Sequence, residues 1–381
     1  MSASTKSSAK IAASRHLSLG AAEILESDID RVVGVLRSGR ISPGKVTQEF
    51  EALVAKAHGM PYATYCNSGQ SALHLALETL KLTQGPPFRR VLVPALTYIS
   101  SLHAVWNAGL DVLLCDVDPR TYLMDFANYQ GPRFDAIMPV HLFGAPCALP
   151  SLAVPIIEDG CESLGAKGTG YGHFLALSFY VAHTITTSVG GMLLSNNPVH
   201  AETVQRLCNH GRVRGSDLYA GLRCDAVDTS IKFRFNAVGF SYKLGDLNAA
   251  LGVGQMHRLA SILGRRRQAA LWLWEELDRL GLDLQLPDPT NHTFMMFPLV
   301  CPTPGFKADL VDHLNARGIE TRDLMPITNQ PIVLEKLGTD LASRFPVAHH
   351  LNLHGFYLGI HHLLTTDDLL YLRDAFRTFR P

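Results

Sequence analysis

Blocks of apolar and polar positions succeed one another along the first two-thirds of the chain. Strand-sized apolar runs recur as VLVPAL from Val91, VLLCDVD from Val112, AIMPVHLFG from Ala136, VPIIED from Val154, LALSFY from Leu175 and GGMLLS from Gly190. Several are close to continuously apolar, the pattern of strands covered on both faces, and helical segments such as Ser71–Leu80 separate them. The pattern predicts an α/β sheet with many parallel strands, in which ligands collect at the carboxyl ends of the strands. Asp159 and the stretch Ser178–His183 end two of these runs, and chemistry is expected there.

A long helical pattern follows from Leu244 through the basic segment Arg265–Arg267 to about Leu280 and is expected to link two domains. Beyond it, TFMMFPLV, a helix near Lys307–Arg317, GIETR and a last helix from Thr365 predict a smaller α+β unit. Pro302–Gly305 and Asp288–His292 read as turns. A chain of 381 residues exceeds the usual size of one core. The expected division is a tail over 1–16, a large domain over 17–255 and a smaller C-terminal domain over 256–381.

Charge and composition narrow the function classes. Acidic and basic side chains balance at 34 each, so no global field points to nucleic acid or a membrane surface. No apolar stretch approaches the roughly 20 residues of a membrane span, and a soluble, cytoplasmic protein is expected. Residues 1–16, rich in Ser, Ala and Lys and without an acid, superficially suit an organellar transit peptide but are read as a disordered tail. Seven cysteines, at 66, 115, 147, 161, 208, 224 and 301, are scattered and mostly inside apolar runs, as expected of reduced core thiols. His349, His350, His354, His361 and His362 crowd the C-terminus without carboxylate or cysteine partners at metal-ligand spacing, so no metal is expected.

Two segments carry candidate chemistry. CNSGQSALHLAL sets Gly69, Gln70 and Ser71 just before a helical pattern, where free backbone N–H groups make a phosphate site. A capped helix without a ligand reads the same. IIEDGCESLG puts an acid pair at a strand end, where a carboxylate can hold a protonated heteroaromatic nitrogen or can cap the next helix.

The order of the pieces decides between these readings. The phosphate loop, VPALTYISSLHA, DVDPRTYLMD, PVHLFG, IEDGCESLGA and SFYVAHTITTSVGG together resemble the DegT/DnrJ/EryC1/StrS family of sugar aminotransferases and dehydratases, of the aspartate-aminotransferase fold type. The likeness extends from about Gly20 to Pro381 and includes SGRISPGKVTQEFE, RLCNHGR, KLGDLNAALGVGQM and HGFYLGIHHLLT. It implies a pyridoxal 5'-phosphate or pyridoxamine 5'-phosphate cofactor, a large domain with a mainly parallel mixed sheet, and a homodimer. By the same resemblance Gly69, Gln70 and Ser178 hold the cofactor phosphate, Tyr98 covers the pyridine face, Asp159 pairs with the ring nitrogen and Glu162 lies close by. His141 matches a family position near the active site, although a satisfied strand-end histidine fits equally.

The decisive departure lies in SFYVAHT. Aminotransferases of this family read SFYxxKN, with the lysine linked to the cofactor aldehyde, whereas this chain has His183. An imidazole cannot form that link, so the cofactor is expected to be held noncovalently in the amine form. The same replacement marks the family's 3-dehydratases, which remove the C3 hydroxyl of nucleotide-linked 4-keto sugars. With an ordinary pKa near 6.5, about three-quarters of an imidazole is a free base at pH 7, against roughly one lysine in several thousand. One subgroup of these dehydratases uses an iron–sulfur cluster, but Cys208 and Cys224 are isolated, so glutamate is the expected amino donor. Ser188 and Val189 stand where the family's TxxEGG has a glutamate, and GFSYK replaces GYN, so Ser241 is expected to meet the phosphate with a shorter hydroxyl. The alternatives are an aminotransferase-like enzyme without the lysine and a cofactor-binding pseudoenzyme.

Overall fold

The computed structural model describes residues 15–213, 234–325 and 327–380, and every one of the six apolar runs holds a strand. They are β2 (Arg90–Pro94), β3 (Asp111–Cys115), β4 (Ala136–Ile137), β5 (Ile157–Asp159), β6 (Phe174–Ser178) and β7 (Gly191–Ser195). A seventh, β1 (Tyr62–Cys66), precedes the phosphate loop. β2 pairs in parallel with both β3 and β4, and β5 with β6; β7 runs antiparallel between β6 and β1. β4 is short because Pro139 has no N–H to donate. Pairing nonetheless continues through Ile137 N–H to Pro155 O, Asp159 N–H to Pro139 O and His141 N–H to Asp159 O. These bonds join the two halves into one sheet in the order β3-β2-β4-β5-β6-β7-β1, mixed and mainly parallel.

Strands β2, β5, β6 and β7 are buried almost throughout, which is why they read as apolar runs rather than alternating ones. The helix Gly69–Gln84 starts two residues before the predicted segment and buries Leu73, Leu75, Ala76, Leu77 and Leu80 in the same core as β2 and β6.

The long helical pattern from Leu244 is two helices, Asp246–His257 and Leu259–Leu280, broken at Arg258. Arg258 leaves the helical region at φ −102°, ψ 1°, and its guanidinium is bound to Asp28 at 2.8 Å. The break redirects the chain. Leu259 and Ile262 pack with the core of the large sheet, while Ala270, Leu273 and Leu277 pack with a second core.

That second core lies under an antiparallel sheet of β8 (Met296–Val300), β10 (Gly355–Gly359) and β9 (Thr321–Asp323), covered by the helices Pro304–Asn315 and Thr366–Thr378. The last helix begins where predicted, with Thr365 and Asp368 forming a reciprocal cap. Pro302–Gly305 is only half a turn, because Thr303 caps a helix whose first residue is Pro304. Near the chain start, Leu17 joins this sheet: its N–H donates to Gly318 O at 2.8 Å and its carbonyl accepts from Glu320 N at 2.9 Å. The tail expected over 1–16 and Cys224 fall largely or wholly outside the described residues; Arg15, at the tail's end, binds Asp368 at 2.6 Å. No helix among the described residues is long and apolar enough to cross a membrane.

Candidate active site

The turn between β1 and the first long helix of the sheet forms one wall. Ser68, extended at φ −167°, caps the helix by accepting from Ser71 N at 3.1 Å, and its carbonyl accepts from Ala72 N. The N–H groups of Gly69 and Gln70 are left for an external acceptor. Gly69 is buried, and a Cβ there would stand 2.5 Å from Cys161 Sγ and 3.0 Å from Ser178 Cβ. Gly191 is tighter still: its Cβ would meet Ser68 C at 2.2 Å and Gly69 N at 2.6 Å. Ser178 ends β6 directly opposite Gly191. Two free donors, a hydroxyl at a strand end and a backbone with no room for a side chain fit a phosphate. Asn67 Oδ1, buried without a partner, lies two residues before Gly69.

The carboxyl end of β5 supplies the second wall. Asp159 is buried; Ser101 donates to its Oδ2 at 2.7 Å and Cys161 N to its Oδ1 at 3.2 Å. Thr97 Oγ1 lies 2.8 Å from Ser101 Oγ, so the carboxylate is braced from the segment after β2. Its neighbour Glu158 points to the opposite face, as alternation along a strand requires. There Glu158 accepts from Gly170 N at 2.8 Å and Gly172 N at 2.6 Å and lies 2.8 Å from His141 Nε2. His141 Nδ1 accepts from Cys147 N, so His141 is fully buried and fully bonded, a packed strand-end histidine.

His183 sits in a turn after β6, its N–H donating to Tyr180 O at 2.9 Å. Its Nδ1 is 2.6 Å from the Cys161 carbonyl. A carbonyl only accepts, so Nδ1 carries the hydrogen and Nε2 of the neutral ring is the free base. His183 as a whole residue is half-buried, and burial lowers its pKa to about 4, against the Cys161 bond and the Asp159 charge, which raise it. Glu162 accepts from Phe143 N at 2.6 Å. Burial pushes its carboxyl up to about 7, with the Phe143 bond opposing and the Asp159 charge adding. Phe143 makes that bond from the left-handed region, φ 56°, a conformation a bulky residue keeps only when its surroundings hold it.

Tyr98 is 61% exposed on the segment after β2. The ring of Tyr357 on β10 lies 5.6 Å from that of Phe143, and burial, with the Glu162 charge adding, pushes its hydroxyl up to about 12. The smaller sheet therefore reaches the site. Asp159, Glu162, Ser178, Gly69 and His183 are brought together through Cys161, a residue the sequence reading left in the core. Gln70 follows on the same turn. Ser241 is not joined to them by any contact among the described residues: it is exposed, with its hydroxyl 3.3 Å from Lys243 Nζ, while Tyr242 O accepts from Asn67 N. Ser188 has φ 71° and Val189 is exposed. Of the C-terminal histidines, His361 and His362 are buried and His350 stacks on His354 at 3.9 Å. Among the described residues no group of His, Cys, Asp and Glu could hold a metal ion.

The profile of the DegT/DnrJ/EryC1/StrS aminotransferase family matches residues 22–377. GDP-perosamine synthase of Caulobacter vibrioides is 31% identical over 349 residues, covering 86% of this chain and 88% of that protein. The solved structure of Escherichia coli GDP-4-keto-6-deoxy-D-mannose-3-dehydratase with bound hydrated PLP superposes with a TM-score of 0.86 at 22% identity, covering 94% of this chain and 99% of that one. A GDP-4-keto-6-deoxymannose-3-dehydratase with a trapped PLP–glutamate geminal diamine gives a TM-score of 0.82 at 21% identity over 94% of this chain and all of that one. At these identities the superpositions speak for the fold alone, which is aminotransferase-like.

Proposed function

The chain belongs to the DegT/DnrJ/EryC1/StrS aminotransferase family, and from that premise we propose that it is a pyridoxamine-phosphate-dependent 3-dehydratase acting on a nucleotide-linked 4-keto sugar. The observation that carries this reading is His183, with Nδ1–H committed to Cys161 O and Nε2 free. When bound, the cofactor supplies a primary amine for the sugar ketone and a ring that accepts electrons.

The rest is done by this chain. Gly69 and Gln70 N–H and the Ser178 hydroxyl bind the phosphate, and Ser241 is assigned a lesser part there, one that a partner subunit of a homodimer could supply. Asp159, already an acceptor from Ser101 and Cys161, holds a proton on the ring nitrogen. Tyr98 covers the ring face and excludes water. Glu162, with a carboxyl near half-protonated at neutral pH, lies where it can hold or release a proton beside the ring. His183 Nε2 would take a proton from the carbon that bears the cofactor's amine and, charged beside Asp159, would hand it to the departing C3 hydroxyl, which leaves as water. A neutral imidazole at pH 7 suits the first of these steps and a neighbouring carboxylate the second. Glutamate would be the amino donor that restores the amine form, leaving as 2-oxoglutarate; the neighbour holding a trapped PLP–glutamate geminal diamine supports that choice.

The test is incubation of the purified protein with pyridoxal phosphate, glutamate and a panel of nucleotide 4-keto sugars, followed by mass spectrometry. Loss of one oxygen from a panel member is expected. The 31% identity to a GDP-perosamine synthase favours a second reading, amination at C4 with the C3 hydroxyl kept. A product that gains an amine and loses no oxygen at C3 selects that reading instead; bound cofactor without turnover selects a pseudoenzyme.

A further inference from the structure

We propose that Ser101, backed by Thr97, is a positioning residue for Asp159: the two hydroxyls form a relay that keeps this carboxylate charged and aimed at the ring nitrogen of the cofactor. The proposal rests on the reading of Asp159 given above. The sheet fixes the backbone of Asp159, whose N–H donates to Pro139 O at 2.9 Å and whose carbonyl accepts from His141 N at 2.9 Å. Its side chain still has two rotations to settle. Ser101 Oγ, 2.7 Å from Oδ2, and Cys161 N, 3.2 Å from Oδ1, settle them with one bond at each oxygen.

Counting hydrogens gives the relay its direction. Ser101 has one hydroxyl hydrogen and a carboxylate only accepts, so that hydrogen lies in the Asp159 bond. Thr97 Oγ1, 2.8 Å from Ser101 Oγ, is therefore the donor in their contact. Its approach to Tyr98 O is longer, 3.4 Å, and competes weakly. Successive donors polarise one another, so Thr97 strengthens the bond that Ser101 makes. Both residues are buried, and they flank Tyr98, whose carbonyl accepts from Ser101 N at 3.2 Å. One turn, 97–101, thus sets both the ring cover and the partner of the ring nitrogen. Leu102, Ala104 and Val105 anchor it in the core through the helix Ser100–Asn107.

Packing alone does not call for this arrangement. Asp159 is buried, both of its side-chain bonds come from neutral donors, and among the described residues it makes no ion pair. A carboxylate in that state is costly to desolvate, and an apolar side chain would avoid the cost. A ligand that brings a cationic N–H removes the imbalance, and about two of the carboxylate's roughly four acceptor positions remain for it. Hydroxyls hold the charge without cancelling it. A lysine or arginine in place of Ser101 would satisfy Asp159 and compete with the ring. The second donor, Cys161, also accepts from His183 Nδ1, so the brace is continuous with the base.

The test measures binding, so that it does not depend on turnover. The full-length, cofactor-free protein is titrated by calorimetry with pyridoxamine 5'-phosphate and with its 1-deaza analogue, in which C–H replaces the ring nitrogen. In Ser101→Ala the affinity for pyridoxamine phosphate is expected to fall about tenfold and that for the analogue by less than about twofold, because only the ring nitrogen meets Asp159. Thr97→Val, which removes the distal hydroxyl at nearly constant shape, should weaken pyridoxamine phosphate about threefold and leave the analogue unchanged; Thr97→Ser should restore the parent affinity. If Ser101→Ala does not fold by circular dichroism, the two Thr97 variants decide the question on the same comparison. Equal loss of both ligands in a folded variant marks a structural role only and overturns the proposal, as does unchanged affinity for both. Asp159→Ala separates the two readings: if it prefers pyridoxamine phosphate over the analogue as strongly as the parent does, the pairing of Asp159 with the ring nitrogen is overturned, whatever Ser101 does.

Discussion

At the scale of single residues, the site turns on which nitrogen of His183 is free. The bond from Nδ1 to Cys161 O fixes Nε2 as the base. Replacing His183 with Asn keeps a donor for Cys161 O and removes the base, so dehydration should fall on the order of 10²–10⁴ while cofactor affinity stays within about tenfold. Product formation by mass spectrometry and occupancy by absorbance check this; parent-like dehydration at equal occupancy would shift the role to Glu162. A second expectation is that borohydride fixes no cofactor to any lysine. Lys243 is engaged with His210 at 3.1 Å and with Ser241, and no lysine occupies position 183. Peptide mapping that found a reduced adduct on Lys167 or Lys243 would contradict noncovalent binding. The identities of these side chains were legible in the sequence through their motifs. Their orienting partners were not: Ser101 reaches Asp159 across 58 positions and Phe143 reaches Glu162 across 19, and no periodicity records such contacts.

At the scale of elements, burial explains what could be read. Strands covered on both faces announce themselves as apolar runs, and all six were legible; β1, with Tyr62 exposed and Ala63 half-buried, was not. The helices Pro331–Leu337 and Pro346–His354 were also missed, although each has proline in its first turn, a usable start signal. The break at Arg258 has no proline or glycine to mark it and follows from a tertiary ion pair. The tight approach of β7 to the phosphate turn gives a sharp expectation. Gly191→Ala places a methyl against the backbone of Ser68 and Gly69, which cannot yield as a flexible side chain would. The turn must move. Cofactor affinity should drop at least tenfold and stability by about 1–3 kcal/mol, read by cofactor titration and urea unfolding. Unchanged affinity in a folded Gly191→Ala protein would detach this turn from cofactor binding.

At the scale of the whole molecule, buried neutral histidines tie stability to pH. Burial lowers His292 to about 3 and His361 and His362 to about 4, all below the ordinary 6.5. Between these values the unfolded chain binds protons that the folded one does not, so stability is full above pH 6.5 and is lost as pH falls toward 4. Each such proton steepens the loss by ~1.4 kcal/mol per pH unit. Glu162, raised from 4.5 to about 7, works the other way and offsets roughly one histidine in that window. The midpoint of thermal unfolding of the cofactor-free protein should therefore fall between pH 7.5 and pH 5, and by less in His361→Asn. A flat midpoint over that range would contradict these buried neutral rings. The path of the chain's first described residues has a different kind of consequence. Leu17 is stitched to Gly318 and Glu320, Gly20 lies so close that a Cβ would stand 3.0 Å from Ala182 O, and Gly359 is packed against Ser18 and Leu19. Leu17 leaves the ribosome some 300 residues before its partners, which at ~5–20 residues per second is on the order of 15–60 s. Through that interval the backing of the His183 turn is not yet held in place, so a segment made early takes up its position only once residues 318–320 have followed.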